Sequence, residues 1–348
     1  MELLSFDQVA DYMDLSVDDL KKIVKNRKVE TYELGSEKYL TEDSIGEIEP
    51  YATQLLFNDE TDEVDPGKYD KRNKLNDLTG KEWMPETKSY WFQKGLGKNN
   101  PAAKIEKMHP APFSFQDIER LIKFFTKEND IVMDPFLGVG STLKAAALTK
   151  RRGVGIELTS RWVELAKERL EKEVGPGTAD KFTIINGDSS KELKKMMDNS
   201  VDFIVTSPPY WNILHKKDQK IIKQRVNNGL ETQYSNDNRD LGNIDDYNEF
   251  LKKLVNNFLL ESARVLKNKK YFALIVSDFR NKSKFVSFHS DLIKLLDGIE
   301  YSGYKLNLQG IKILIQNHKS LHPYGYPFAY VENIHHQYIL IFRKELLE

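Results

Sequence analysis

Apolar and polar positions follow two alternating periods through most of the chain. Ile118 to Phe125 carries apolar residues at helical spacing, the run Ile131-Val132-Met133 reads as a buried strand, and Thr142 to Leu148 reads as a helix. Gly153-Val154-Gly155-Ile156 then reads as a strand and Arg161 to Val174 as a helix. Phe182 to Ile185, Val201 to Val205, Tyr271 to Val276, Ile311 to Ile315 and Tyr338 to Phe342 supply further strands. Strands alternating with helices predict an α/β fold, a doubly wound and mostly parallel sheet whose ligands bind beyond the strands' carboxyl ends. The last two strands have no helix between them, which predicts an antiparallel hairpin at one edge.

The first 48 residues have a pattern of their own. Phe6, Val9, Ala10 and Met13 share one helical face, Asp14-Leu15-Ser16 makes a turn, and Ser16 with Asp19 opens a second helix carrying Val17, Leu20, Ile23 and Val24. Val29 to Leu34 and Lys38-Tyr39-Leu40 flank Gly35-Ser36 as a hairpin, and Thr41 to Ile45 starts another short helix. This succession resembles the excisionase-type winged helix-turn-helix. Lys21, Lys22, Lys25, Arg27 and Lys28 would meet phosphates, while Asp14, Asp18 and Asp19 crowd the end of the helix that enters the major groove in such folds. A docking or dimerisation module on the same fold stays open beside the DNA-binding reading.

Residues 49–75, with the acidic run Asn58 to Asp65, are expected as a linker. Residues 76–107 form an aromatic and basic arm, with Trp83, Tyr90, Trp91 and Phe92 among Lys81, Lys88 and Lys94. Such a surface would pack on single-stranded or deformed nucleic acid and contribute to target recognition, or it would pack on its own domain. The last and largest domain spans 108–348.

Zero cysteines among 348 residues exclude disulfides, thiolate metal sites and a cysteine nucleophile, and with the last of these methylation at cytosine C5. A net charge of −1 gives no global attraction to nucleic acid, so a binding face would rest on local basic patches. No run approaches a membrane span and Met1 to Ser5 lacks a signal-peptide pattern, so a soluble, cytoplasmic protein is expected.

The first strand of the large domain ends in Asp134-Pro135-Phe136-Leu137-Gly138-Val139-Gly140-Ser141-Thr142. Gly138 and Gly140 allow a tight turn close to a ligand. The phosphate-loop pattern fails for want of a lysine after Gly140, and the dinucleotide pattern fails because Leu143 stands where a third glycine belongs. An adenosine-type ligand without pyrophosphate remains. Glu157 closes the next strand where a carboxylate can accept both ribose hydroxyls, and Asp188, followed by Ser189, is placed to accept from an adenine amine. Behind Val201 to Val205 stands Thr206-Ser207-Pro208-Pro209-Tyr210-Trp211, a polar hydroxyl, two locked prolines and two aromatics at a strand end. That cup can accept hydrogen bonds from a planar amine and stack on its ring.

Asp134-Pro135-Phe136 with its glycines, Ile156-Glu157-Leu158, Gly187-Asp188 and Ser207-Pro208-Pro209-Tyr210 together resemble the amino-group DNA methyltransferases that use S-adenosylmethionine, from about Met108 to Arg343. The resemblance implies a Rossmann-like methyltransferase sheet. It implies that Pro112, Phe113 and Ser114 touch the amino-acid end of the cofactor, Asp134 its amino group, Glu157 its ribose and Asp188 its adenine. Pro135, Phe136, Gly138, Gly140, Ser141, Thr142 and Ser189 complete the cofactor set, with no metal. Ser207 and Pro208 would accept the amine hydrogens, Pro209 would fix the backbone and Tyr210 would stack. Serine at 207 favours cytosine N4 by resemblance, with adenine N6 as the alternative. Many members with Ser-Pro-Pro-Tyr carry the catalytic half first, whereas here the cofactor half precedes it.

A flipped base requires stacking or filling side chains, for which Trp211, Tyr324, Tyr326, Phe328 and Tyr330 are candidates, the last four alternatively forming an apolar plug under a loop. Lys216, Lys217, Lys220, Lys223 and Arg225 would grip phosphates or form a solvated face. The expected partners are double-stranded DNA, a cognate restriction endonuclease and a second copy of the chain. An RNA amine methyltransferase and a non-catalytic DNA-binding protein are the competing classes.

Overall fold

The computed structural model describes residues 3–13, 15–35, 37–41, 44, 47–48, 67, 69–93, 103–106, 108, 114–212, 237, 239–281, 284–316, 319 and 321–347. The chain divides into two compact units, Met1–Asp65 and Pro66–Glu348. His109 to Phe113, the insertion with Lys216 to Arg225, and the acidic run Asn58 to Asp65 lie outside the described residues.

In the first unit, helix Phe6–Tyr12 begins at Ser5, whose hydroxyl accepts from Gln8 N while the Gln8 side chain accepts from Ser5 N. This reciprocal box satisfies two amides that a helix start otherwise leaves unpaired. Helix Val17–Arg27 is capped by Ser16. Strands β1 (Leu3–Ser5), β2 (Tyr32–Leu34) and β3 (Glu37–Thr41) form an antiparallel sheet in the order β1-β3-β2, turning at Gly35 with φ +68°. Val9, Leu20, Ile23, Val24, Leu40 and Ile48 close its core.

The second unit is built on one sheet. Its strands are β4 (Tyr90–Phe92), β5 (Ile131–Asp134), β6 (Arg152–Glu157), β7 (Thr183–Asn186), β8 (Val201–Thr206), β9 (Leu266–Val276), β12 (Glu300–Tyr301), β13 (Tyr304–Ile315) and β14 (His336–Leu346). A separate hairpin pairs β10 (Phe279–Asn281) with β11 (Lys284–Val286). The order is β12-β13-β14-β9-β8-β5-β6-β7, with β5 to β9 mutually parallel and β14 antiparallel to both β9 and β13. The fold is therefore a Rossmann-like doubly wound sheet with an antiparallel edge. The final strand lies inside that edge, between β9 and β13, rather than outermost.

Alternation along β8 explains the two covered faces. Phe203 and Val205 pack with Ile118, Leu121, Ile122 and Phe125 of helix Phe115–Phe125, while Ile204 packs with Phe250, Leu254 and Phe258 on the opposite side. Each such side chain contributes roughly 1.5–3 kcal/mol when fully buried, so a charge on either face of β8 would be strongly destabilising. The chain passes from β5 to its two neighbours in opposite directions, which opens a crevice at their carboxyl ends.

The arm is part of this unit. Strand β4 pairs parallel with β13, Trp91 is buried beneath the Arg120 guanidinium and the Lys312 ammonium, and Trp83 packs on Phe124. Trp91 is thereby taken out of any nucleic-acid surface. Residues 69–75, read from sequence as linker, are tied down as well: Lys127 Nζ donates to Tyr69 Oη and Asn73 O.

Candidate functional site

Asp134 ends β5 fully buried. Its Oδ1 accepts from Thr206 Oγ1 at 2.6 Å and Phe136 N at 3.0 Å, and its Oδ2 accepts from Thr142 Oγ1 at 2.6 Å. Burial pushes this carboxyl up to about 6, against the pull of the three donors. Gly138 and Gly140 have φ of +52° and +79°, and a Cβ on Gly140 would stand 2.9 Å from Ala166 Cβ. Only glycine suits that turn.

Glu157 closes β6 and faces the turn. Its Oε2 accepts from Gly138 N at 2.8 Å and its Oε1 from Thr159 N at 2.9 Å, while burial pushes the carboxyl up to about 7. Asp188, after β7, accepts from Ser190 N and Ser190 Oγ through Oδ1 and so caps the short helix Ser189–Glu192. The acid is a cap and a cavity residue at once. Ser189 Oγ donates to Pro135 O at 2.5 Å, joining the loops after β5 and β7.

Beyond β8, Ser207 Oγ lies 3.2 Å from Tyr210 Oη. Tyr210 is buried, with its ring edge-on to Phe288, and burial pushes its hydroxyl pKa up. Trp211 turns away from the cavity with φ +48°, buries its ring beside Tyr247 and donates from Nε1 to Ile244 O at 2.8 Å. It is a packing residue, not an available stacking face.

One cavity is lined by Pro135, Phe136, Gly138, Glu157, Asp188, Ser189 and Ser207 to Tyr210. It brings together six of the thirteen expected cofactor residues and all four expected catalytic ones. Asp134, Gly140, Ser141 and Thr142 stand behind its wall: Asp134 and Thr142 bond each other, Gly140 packs on Ala166, and Ser141 Oγ accepts from Arg169. Ser114 caps helix Phe115–Phe125 through Gln116 N, while Pro112 and Phe113 lie outside the described residues. Sequence reasoning missed Thr159, Trp162, Arg239, Asp240, Leu241 and Phe258, which also line the cavity. For Arg239 to Leu241 the available signal was the return of apolar residues, Leu241 and Ile244, at the end of the polar insertion.

A second feature lies in the connection that leaves β13 at the sheet edge where β5 to β9 end. Between β13 and β14 the chain exposes Tyr324, Tyr326 (81%), Phe328 (92%) and Tyr330 (85%), which excludes an apolar plug. The loop is braced from within: Asn333 exchanges two hydrogen bonds with the His322 backbone, and Phe328 N and Ala329 N both donate to Gly325 O.

A model of the N6/N4 methyltransferase family, described as DNA methylase, matches residues 10–168. That interval includes Asp134 to Thr142 and Glu157 and stops short of Asp188 and Ser207. The chain is 41% identical over 71 residues to the orphan methyltransferase M.BamHII of Bacillus amyloliquefaciens, covering 20% of this chain and 27% of the relative. It is 39% identical over 70 residues to the type II methyltransferase M.HpaI of Haemophilus parainfluenzae, 20% of this chain and 22% of the relative. It is 34% identical over 108 residues to M2.DpnII of Streptococcus pneumoniae, 30% of this chain and 36% of the relative. The chain thus matches between about a fifth and a third of these relatives' length.

Proposed function

We propose that the protein transfers the methyl group of S-adenosylmethionine to the exocyclic amine of a base in DNA, cytosine N4 before adenine N6. The observation that carries this reading is that Ser207-Pro208-Pro209-Tyr210 lines the same cavity as Glu157 and Asp188. The donor set fits the cofactor: two carboxylates suit ribose and adenine donors, Gly138 opens the turn, and Phe136, Ile156, Leu158, Trp162 and Phe258 give apolar walls for a purine. When bound, the cofactor supplies an activated methyl on a sulfonium.

The rest falls to the chain. An exocyclic amine is a poor nucleophile because its lone pair is delocalised into the ring. Ser207 Oγ and the Pro208 carbonyl accept the two amine hydrogens and turn the lone pair toward the methyl, and the prolines hold those acceptors in place. Proximity and orientation then provide most of the acceleration. The exposed aromatic loop suits a polymer whose bases can stack on it, and the matching family model, described as DNA methylase, supports DNA over RNA. The first unit, with exposed Lys21, Lys25 and Lys28, serves in this reading as a winged-helix contact to the duplex.

The test is incubation with labelled S-adenosylmethionine and mixed DNA or RNA, then identification of the methylated nucleoside by mass spectrometry. N4-methylcytosine in DNA is expected, and Ser207→Ala should remove it while cofactor binding persists. N6-methyladenine would correct the base, and label confined to RNA would overturn the DNA assignment.

A further inference from the structure

A polar chain leads from the cavity into the interior. Tyr210 Oη accepts from Gln337 Nε2 at 3.3 Å; Gln337 Oε1 accepts from Gln316 Nε2 at 3.2 Å; Gln316 Nε2 also donates to Gln93 Oε1 at 2.9 Å; and Gln93 Nε2 donates to Asp117 Oδ2 at 3.2 Å. Asp117 and Gln316 are buried. These residues come from four places, the end of β4, helix Phe115–Phe125, the end of β13 and the start of β14, yet they converge behind Ser207.

The polarity of the chain is set at its far end. A carboxylate oxygen accepts, so Gln93 must turn its amide nitrogen toward Asp117 and its oxygen toward Gln316. Gln316 then directs its nitrogen at Gln337, whose own nitrogen is left to face Tyr210. The phenol oxygen thus uses one lone pair on the Gln337 N–H. Its own hydrogen goes to Ser207 Oγ at 3.2 Å, Ile275 O being farther at 3.5 Å. Ser207 Oγ, accepting that hydrogen, keeps its own hydrogen for a partner other than Tyr210.

We propose that Gln337 is a positioning residue which, through Tyr210, turns the Ser207 hydroxyl hydrogen into the cavity. Ser207 then presents one lone pair and one O–H side by side. That pair complements an amine adjacent to an unprotonated ring nitrogen, the edge shared by cytosine and adenine, and mismatches the two-donor edge of guanine. The inference rests on the proposed methyl transfer and adds to it the reason one hydroxyl suffices at this position.

The experiment compares parent, Gln337→Glu and Gln337→Leu at saturating S-adenosylmethionine, reading cofactor affinity by calorimetry and methyl transfer to DNA in a single turnover. Both variants should keep cofactor affinity within about threefold and lose about tenfold in transfer rate near pH 8, the size of one lost hydrogen bond. Relative to parent, Gln337→Glu should recover as pH falls, because a protonated glutamic acid again donates to Tyr210, whereas Gln337→Leu should not. Parent-like transfer by Gln337→Glu near pH 8, or a loss in it that ignores pH, would overturn the positioning role alone. Absence of transfer by the parent despite bound cofactor would overturn the functional reading and the positioning role with it.

Discussion

Thr206 Oγ1 donates to Asp134 Oδ1 at 2.6 Å, a bond between residues 72 apart in sequence that ties the last residue of β8 to the last residue of β5. The glycine turn after β5 and the Ser-Pro-Pro-Tyr segment after β8 are therefore held to one another by a buried carboxylate. Thr206→Val keeps the shape and removes the donor. The expected cost is about 1–3 kcal/mol, the range for an ionised buried acceptor losing a partner. Asp134 is already pushed up to about 6, so its ionisation opposes folding as pH rises through that value. The deficit of the valine variant should accordingly be largest well above pH 6 and shrink below it, where the carboxyl is protonated in the folded state. Urea unfolding at several pH values reads this; a variant as stable as the parent in alkali would refute the tie.

Glu157 predicts a pH dependence in cofactor binding. Burial holds its carboxyl up to about 7, and the ionised form is the better acceptor for ribose hydroxyls. As pH falls through about 7 the acid takes up a proton, so affinity should drop by up to about tenfold per pH unit below that point. Glu157→Gln should bind more weakly in alkali and show a flat profile. Calorimetric titration with S-adenosylmethionine across this range decides it, and an equally steep profile in the glutamine variant would assign the effect to another group.

Arg169 is fully buried and donates to Glu106 Oε2, Glu173 Oε2, Ser141 Oγ and Val139 O, which places the glycine turn after β5 on a guanidinium. Lys144 shares Glu173. Arg169→Met would leave Glu106 without its cation, at an expected cost of about 3–5 kcal/mol. Total stabilities of about 5–15 kcal/mol make that loss severe. Denaturant unfolding should show it, and a change below about 1 kcal/mol would mean that the network contributes little beyond its packing.

The sequence made the acids at strand ends readable because each one follows an apolar run and precedes a polar or glycine turn: Asp134, Glu157 and Asp188 all obey that local rule. Their division of labour was not readable. Asp134 and Glu157 have the same chemistry and similar surroundings in sequence, yet only the threonines at 142 and 206 fold over Asp134 and withdraw it from the cavity. Trp91 was misleading for a related reason. An aromatic among lysines looks like a surface, but its partner strand β13 lies more than 200 residues later and no local pattern announces it. Trp211 close to Ser207 in sequence looked like a stacking ring until its left-handed backbone turned it inward. Gln93, Gln316 and Gln337 have no periodicity at all, and single amides acquire meaning only when the fold assembles them.

The braced loop between β13 and β14 supplies the last test. Gln337 at the start of β14 reaches Tyr210, so the loop leaves the sheet at the rim of the cavity. Its aromatic rings are exposed while its backbone is clasped by Asn333 and Gly325, an arrangement in which apolar surface is offered to solvent without serving the loop's own fold. Replacing Phe328 or Tyr330 by alanine should leave thermal stability and cofactor affinity unchanged. Each should weaken DNA binding by about 1–3 kcal/mol, the range for one stacked base. The double variant should raise KM for DNA far more than it lowers kcat at saturating DNA, because in the proposed function the loop holds the polymer and Ser207 performs the chemistry. Unchanged DNA affinity in the double variant would remove the loop from the nucleic-acid surface and leave its exposed rings to a protein contact.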